Sequence, residues 1–286
     1  MRIIVTGHEG QLGRALWRVL ESHHALLGMD LPQHDITDAG ATMETVAAFR
    51  PGVVLHPAAL TDVDRCAREP ELALRVNGLG THSLALACLE ARAVLLTIST
   101  NEVFDGAKGA PYYEHDSPNP INAYARSKLA AEFYTRLHLR RFYIVRTAWL
   151  YAPGGNNFPA KILAAADKVD RLRVVADEIS NPTYAPDLAA AIVELIHTEH
   201  YGIYHFTNSG VCSRYDYTRT ILALAGRDGV PVEPITSDQW PRTSTPPLHC
   251  ALHNFAGAAL GITLRPWHEA LEAYFEQEAK GAVSHE

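Results

Sequence analysis

The sequence lacks several features that would assign it to a protein class at once. Its 286 residues include only four cysteines, which lie far apart with no C-x-x-C pair, and this argues against a disulfide framework or a zinc ribbon. No run of about 18 apolar residues occurs, so no segment is predicted to span a bilayer. The net charge is −7 and there is no basic stripe, so we expect neither nucleic-acid nor membrane binding.

Signals for secretion and for metal binding are missing as well. The opening residues lack the long apolar run and small-residue cleavage site of a secretory signal, which predicts a cytoplasmic protein with reduced thiols. Two histidine pairs have a spacing compatible with metal binding from a helix, namely His197 with His200 and His249 with His253. Neither pair has a matching third ligand nearby in the sequence, so we predict no metal site.

Short β-branched segments alternate with helical patterns through the first half of the chain. Strands are predicted at residues 2–6, 26–29, 53–56, 94–99 and 143–147, and helices at 11–20, 42–49, 72–91 and 123–139. This alternation predicts a doubly wound, Rossmann-like α/β fold with a parallel sheet. Irregular segments rich in glycine and proline follow residue 151 and predict a smaller, partly discontinuous C-terminal lobe. We expect a sheet domain of residues 1–150 and about 173–209, and a second lobe of about 151–172 and 210–286.

A glycine-rich turn, G-x-x-G-x-x-G, joins the first predicted strand to the first helix. Glycines here allow close approach to a pyrophosphate, and the helix N-terminus offers free N–H groups, so the sheet domain is predicted to bind a dinucleotide. Asp30 ends the second strand, where an acid can bind the adenosine ribose and favours NADH, although Arg14 or His8 could accommodate the 2′-phosphate of NADPH. Cofactor contacts are predicted for Gly7, Gly10, Gln11, Leu12, Gly13, Asp30, Asp35, Ile36, Ala58 and Ala59.

Tyr124 and Lys128 form a Y-x-x-x-K pair on a predicted helix. Four residues are just over one turn, so the phenol and the ammonium share a helix face, which by itself would fit any amphipathic surface. Here the pair follows Ser99 and Thr100, which end a strand at the carboxyl edge of the sheet and place a hydroxyl beside the phenol. We expect the ammonium to lower the pKa of Tyr124 from its usual value of about 10. Thr100, Tyr124 and Lys128 are therefore the predicted catalytic set, and Tyr124 and Lys128 are also expected to contact the cofactor.

Together with other segments, these motifs resemble the dTDP-4-dehydrorhamnose reductase family of the extended short-chain dehydrogenases/reductases. The resemblance covers nearly the whole chain and is carried by residues 7–13, 58–64, 76–77, 99–106, 124–132, 146–151, 156–158, 181–184 and 265–267. It implies that NADH or NADPH reduces the 4-keto group of a nucleotide-activated deoxysugar, of the kind that yields dTDP-L-rhamnose for polysaccharide precursors. It further implies that Tyr124 protonates the developing alkoxide and that Thr100 hydrogen-bonds it.

The same resemblance implies a set of substrate contacts in and near the second lobe. Trp149 would pack against the sugar, while Asn157 and Phe158 would lie on the nucleotide side. Arg242 is the cation nearest to a loosely matched late motif of the family, and it is assigned to the diphosphate. The full implied set is Thr61, Val63, Thr100, Asn101, Glu102, Trp149, Asn157, Phe158 and Arg242.

Two positions depart from the family pattern. Glu102 stands where the family has a tyrosine near the sugar, so hydroxyl recognition and the sugar itself are expected to differ. Ala15 stands where some members carry a glutamate that helps bind a metal at a dimer contact, which again predicts no metal. A homodimer nevertheless remains an expectation.

Two other functions fit the same residues. A sugar-nucleotide epimerase uses the same Tyr/Lys pair but retains its NAD. The regulatory β subunit of methionine adenosyltransferase also resembles this family and acts as a binding partner. The intact pair of Tyr124 and Lys128 argues against the second alternative.

Overall fold

The computed structural model describes residues 1–283 of the chain. Its strands are β1 (Arg2–Thr6), β2 (Ala25–Met29), β3 (Val53–His56), β4 (Val94–Thr100), β5 (Phe142–Thr147), β6 (Leu150–Tyr151), β7 (Leu172–Val175), β8 (Ile179–Ser180), β9 (Thr183–Tyr184), β10 (Gly202–His205), β11 (Cys212–Ser213) and β12 (Val232–Ile235). Its helices are α1 (Gln11–Leu20), α2 (Ala39–Phe49), α3 (Val63–Arg68), α4 (Pro70–Ala73), α5 (Gly80–Ala91), α6 (Ala123–His138), α7 (Phe158–Ala166), α8 (Ala185–Ile196), α9 (Arg214–Leu224), α10 (Phe255–Ala259) and α11 (Trp267–Val283). Within residues 1–283, none of these helices is long and apolar enough to cross a bilayer.

Six parallel strands form the central sheet in the order β2-β1-β3-β4-β5-β10. Both faces of this sheet are covered by helices. Ile3 and Val5 of β1 pack in one buried cluster with α1 and α8, whereas Ile4 packs in another with α2 and α5. Side chains alternate between faces along a strand, so a strand covered on both faces needs an apolar run on both, as residues 3–5 of β1 provide. The predicted doubly wound parallel sheet is confirmed.

The sheet has its topological switch point between β1 and β3. Strands added after β3 extend the sheet in one direction, and β2 extends it in the other. Loops that leave the carboxyl ends of β1 and β3 therefore diverge and open a crevice, which is where open α/β folds bind ligands.

A second lobe is built around an aromatic cluster. Tyr151, Tyr217 and Tyr274 are buried there together with apolar side chains of α7, α9 and α11. Strand β7 pairs with β12 outside the large sheet, although the boundary expected near residue 173 falls within β7. We therefore propose that the second lobe includes β7 and that the chain returns to the sheet domain after Val175.

The helix predicted at residues 72–91 is composite. Helix α4 is followed by a π-helical segment, Leu74–Leu79, and then by α5. Asn77 in this segment donates from Nδ2 to the Leu60 carbonyl at 3.1 Å and to Ser127 Oγ at 2.9 Å, and its Oδ1 accepts from the Leu60 amide at 2.7 Å. The π-helical segment therefore links the loop after β3 to helix α6, close to the crevice.

Candidate active site

A cavity of about 890 Å³ occupies the crevice at the carboxyl ends of the strands. It begins at the glycine turn, passes along the carboxyl end of β4 and the first turns of α6, and ends against the second lobe. Of the site residues predicted from the sequence, Arg242 is missing from its lining. The others all line it: Gly7, Gly10, Gln11, Leu12, Gly13, Asp30, Asp35, Ile36, Ala58, Ala59, Thr61, Val63, Thr100, Asn101, Glu102, Tyr124, Lys128, Trp149, Asn157 and Phe158.

The backbone at the glycine turn is packed too closely to accept a side chain. Gly7 has a φ of +57°, and a Cβ there would lie 2.9 Å from the Ala58 Cα. A Cβ on Gly13 would lie 2.0 Å from the Gly7 carbonyl oxygen. Only glycine therefore allows β1, the loop after β3 and α1 to approach this closely. Because the N-terminus of α1 opens onto this cradle, the residues present fit a dinucleotide pyrophosphate.

Asp30 lies at the end of the cavity next to the glycine turn. Its Oδ2 accepts from the Glu9 amide at 3.0 Å, and its Oδ1 accepts from the Leu31 amide at 3.0 Å. Its remaining lone pairs suit ribose hydroxyls. Arg14 donates to the Glu9 carbonyl at 2.6 Å, and His8 Nδ1 lies 3.9 Å from Asp30 Oδ2. Neither of these two groups, considered for a 2′-phosphate, belongs to the described residues that line the cavity.

Helix α6 and strand β4 bring the predicted catalytic set together. Asn122 caps α6, since its Oδ1 accepts from the Ala125 amide at 2.8 Å. The helix therefore starts at Ala123 and carries Tyr124 and Lys128 one turn apart toward the cavity, where Thr100 ends β4. This places a phenol, an ammonium and a hydroxyl on one wall of the cavity.

Tyr124 differs from the sequence-based expectation in the direction of its pKa. Burial raises the pKa of Tyr124, the negative charge of Glu102 raises it further, and a hydrogen bond with Thr100 opposes the rise. The expected lowering by Lys128 is therefore not what the structure shows. A phenol with a raised pKa stays neutral at physiological pH, and the neutral phenol is the form that donates a proton.

Lys128 is almost completely buried beside the cavity. Burial lowers the pKa of Lys128 to about 8, while the negative charge of Glu132, one turn further along α6, opposes this effect. The ammonium is thus charged at neutral pH but close to its titration range.

A buried ion pair between Arg146 and Glu132 joins the elements that carry the Thr/Tyr/Lys wall. Arg146 on β5 donates to both oxygens of Glu132 on α6, from Nε at 2.8 Å and from Nη2 at 2.7 Å. Ser99 on β4 donates to Glu132 Oε1 at 2.6 Å. Because Ser99 precedes Thr100, one carboxylate links the helix of Tyr124 to the strand of Thr100.

The end of the cavity that lies against the second lobe is aromatic. Trp149 lies between β5 and β6 with a φ of +42°, a strained value for a bulky residue. Asn157 caps α7, since its Oδ1 accepts from the Ala160 amide at 3.1 Å, and its Nδ2 donates to the Ala152 carbonyl at 2.6 Å. Its side chain is therefore used to hold the turn from which Phe158 enters the cavity.

Asn101 also uses its side chain within the protein. Its Nδ2 donates to Ser180 Oγ at 3.1 Å and to the Cys250 carbonyl at 2.9 Å. Although Asn101 lines the cavity, its amide links the end of β4 to later segments of the chain.

At the end of the cavity against the second lobe, the sequence analysis assigned Arg242 as the cationic residue and did not identify Arg214. Arg242 forms an ion pair with Glu178 and does not line the cavity. Arg214 does line it, with Lys161 nearby in the lining. Ser213 caps α9 through a bond from the Asp216 amide at 2.9 Å, so Arg214 is the first residue of that helix. Ser213 is a typical N-cap residue and could have indicated the start of a helix. No local signal indicated that the first side chain of that helix faces a ligand cavity.

This arrangement, with a glycine cradle on one side of the crevice and a Thr/Tyr/Lys wall on the other, defines a nicotinamide-dependent oxidoreductase of the extended short-chain dehydrogenase/reductase type. The chain belongs to the family described as the RmlD substrate binding domain, whose model matches residues 1–280. The resemblance inferred from the motifs is thereby confirmed.

Known relatives are similar over most of their length. The chain is 38% identical to a dTDP-4-dehydrorhamnose reductase of Mycolicibacterium smegmatis, covering 95% of this chain and 84% of the relative. It is 34% identical to the spore coat polysaccharide biosynthesis protein SpsK of Bacillus subtilis, covering 97% and 98%. Its fold matches a dTDP-4-dehydrorhamnose reductase of Bacillus anthracis, solved in complex with NADP, with a TM-score of 0.93 at 34% identity, covering 96% and 99%.

Proposed function

We propose that this protein uses NADH or NADPH to reduce the 4-keto group of a dTDP-linked deoxysugar, of the dTDP-4-dehydrorhamnose type, for polysaccharide precursor synthesis. The observation that carries the proposal is the convergence of Thr100, Tyr124 and Lys128 in one cavity with the glycine turn and the aromatic substrate end. The reductase names of the relatives support the reaction type. The scattered, buried cysteines fit a cytoplasmic protein.

The cofactor would be held by the glycine turn and Asp30, and when bound it supplies the hydride. The protein's own residues handle the proton. Tyr124, neutral because its pKa is raised, donates its proton to the oxygen at C4 of the sugar. The Thr100 hydroxyl donates a hydrogen bond to the same oxygen, and the Lys128 ammonium stabilises the phenolate that remains. Tyr124 and Lys128 also contact the cofactor in this proposal.

The second lobe would bind the rest of the substrate. Trp149 packs against the sugar ring, and Phe158 lies on the nucleotide side. Because Arg242 is engaged by Glu178, we assign cationic recognition at this end to side chains that line the cavity, such as Lys161.

The proposal is tested by incubating the purified protein with a dTDP-4-keto-6-deoxyhexose and either NADH or NADPH. We expect loss of the reduced-nicotinamide absorbance and formation of one dTDP-6-deoxyhexose. Absence of turnover with both cofactors would contradict the assignment. Turnover without net cofactor consumption, with NAD retained through purification, would identify an epimerase instead.

A binding assay tests the alternative that the protein is a regulatory subunit. A regulatory subunit would form a stable complex with another protein and show no reductase activity. Size-exclusion chromatography of the purified chain also tests the predicted homodimer.

A further inference from the structure

Glu102 and Arg214 place opposite charges on the wall of the cavity between the catalytic set and the aromatic substrate end. Both residues line the cavity. Neither residue transfers a proton in the proposed reaction. Their charges act on each other, since the guanidinium of Arg214 counteracts the rise in the pKa of Glu102 that burial causes.

Glu102 lies beside the reacting centre. Its backbone amide donates to Thr100 Oγ1 at 3.2 Å, and its Oε2 accepts from Asn122 Nδ2 at 2.7 Å. Asn122 also caps the helix that carries Tyr124, so the position of the carboxylate is fixed relative to the phenol. Within residues 1–283, no group donates a hydrogen bond to Oε1 of Glu102, so this oxygen is available to a ligand.

Arg214 is held by aromatic side chains. Its guanidinium carbon lies 3.6 Å from the centre of the Trp149 ring and 4.6 Å from that of Phe158. Its Nε lies 3.8 Å from Glu178 Oε2, too far for a hydrogen bond. The guanidinium donates no hydrogen bond to any part of the chain that the structure describes. Stacking therefore fixes its plane and leaves its N–H groups for ligand oxygens.

The chemistry of the two groups defines the ligand that satisfies both. An ionised carboxylate only accepts hydrogen bonds and a guanidinium only donates them. Neighbouring hydroxyls on a sugar ring meet both needs, because each hydroxyl can donate and accept. A diphosphate would suit Arg214 but would be repelled by Glu102. A sugar lacking the hydroxyl would leave a charged group in the cavity without its partner, which is unfavourable.

We propose that Glu102 and Arg214 select the sugar by its hydroxyl groups. Glu102 accepts a hydrogen bond from the hydroxyl at C3, next to the reacting carbonyl, and Arg214 donates to the oxygen at C2. The preferred substrates are then 4-keto hexoses with free hydroxyls at both positions. This inference rests on the proposed function and specifies its substrate class.

The test compares two probes, dTDP-L-rhamnose and its 3-deoxy counterpart, by calorimetric titration of the full-length protein in the presence of NADP⁺. We expect wild type to bind the hydroxylated probe about a hundredfold more tightly, in line with sites that hydrogen-bond a substrate hydroxyl. Glu102→Gln should reduce this preference to about tenfold or less. Arg214→Gln should weaken binding of both probes, because each retains the oxygen at C2. Arg219→Gln is the matched control, since Arg219 is an exposed residue of the same helix.

The outcomes separate this inference from the proposed function. Equal affinity of wild type for the two probes, or an unchanged preference in Glu102→Gln, would overturn the role of Glu102. Unaltered binding in Arg214→Gln would overturn that of Arg214, and failure of wild type to bind either probe would overturn both. Because titration needs no turnover, a clear hydroxyl preference in a protein without reductase activity would support the pair while contradicting the proposed reaction.

Discussion

The environment of Tyr124 suits a general acid better than a general base, because it favours the neutral phenol. Burial and the negative charge of Glu102 raise its pKa, and the resulting neutral phenol holds the proton that a reduced carbonyl needs. We predict that Tyr124→Phe lowers kcat by about a hundredfold or more, the usual scale of general acid catalysis, with little change in cofactor affinity. Steady-state kinetics and cofactor titration check this.

Tyr134→Phe is the matched control, because Tyr134 lies on the same helix, outside the cavity lining, where it packs against His82. This control variant should retain wild-type kcat. Near-normal turnover of Tyr124→Phe would remove Tyr124 as the acid.

Sequence reasoning placed single residues in the cavity lining where a motif fixes their position in the fold. The spacing of Tyr124 and Lys128 and the strand-end position of Thr100 were sufficient, because local geometry carries these residues to the carboxyl edge of the sheet. Arg214 could not be found in this way. Its place in the cavity depends on how the second lobe packs against the sheet domain, a long-range property that no short pattern encodes.

Among secondary-structure elements, the crossing of α6 over β4 and β5 determines the geometry of the site. The buried carboxylate of Glu132 receives hydrogen bonds from Ser99 and Arg146, and its charge also raises the pKa of Lys128 against the effect of burial. Other titratable groups near the Lys128 ammonium include Tyr124, one turn earlier on the same helix, together with Cys66 and His56. Burial keeps His56 neutral by lowering its pKa to about 3. Glu132 therefore acts as a positioning residue for both catalytic elements.

We predict that Glu132→Gln leaves Arg146 buried without its counter-ion and costs about 3–5 kcal/mol of stability. It should also move the alkaline limb of the pH–kcat profile to lower pH, because Lys128 then loses its proton more easily. Denaturant unfolding and pH-dependent kinetics measure the two effects. Ser99→Ala is the matched control, since it removes one hydrogen bond but keeps the charge and should leave the alkaline limb in place. If the alkaline limb of the pH–kcat profile does not shift in Glu132→Gln, then Glu132 has only a structural role.

The sequence predicted the strands of the central sheet more reliably than the elements that depend on long-range contacts. Strands such as β1 and β3 are buried on both faces, so their apolar runs are unambiguous. The π-helical segment Leu74–Leu79 was not predicted, because it depends on the contacts of Asn77 with the loop after β3 and with α6. Strand β7 was not predicted, because a short apolar run does not identify the strand with which it pairs.

At the scale of the whole molecule, the proposed sugar recognition is achieved at a cost in folding free energy. Burial raises the pKa of Glu102, so the folded protein binds this proton more tightly than the unfolded chain does. The ionised carboxylate is therefore destabilising above the folded-state pKa, and this cost fades as the pH falls toward the unfolded value of about 4.3. Each unit of the difference corresponds to about 1.4 kcal/mol.

Glu102→Gln cannot ionise, so we predict that this variant is more stable than wild type at neutral pH and that its advantage shrinks on acidification. Urea unfolding at neutral pH and near the unfolded-state pKa of the carboxyl measures the difference at both ends. Asn122, which donates to Glu102, can still hydrogen-bond the amide oxygen of glutamine, so the cap of α6 should be retained. A less stable variant at neutral pH would mean that the attraction of Arg214 and Arg242 outweighs burial. If the same substitution raises stability and reduces the preference for a C3 hydroxyl, then the charge at residue 102 is retained for recognition and not for folding.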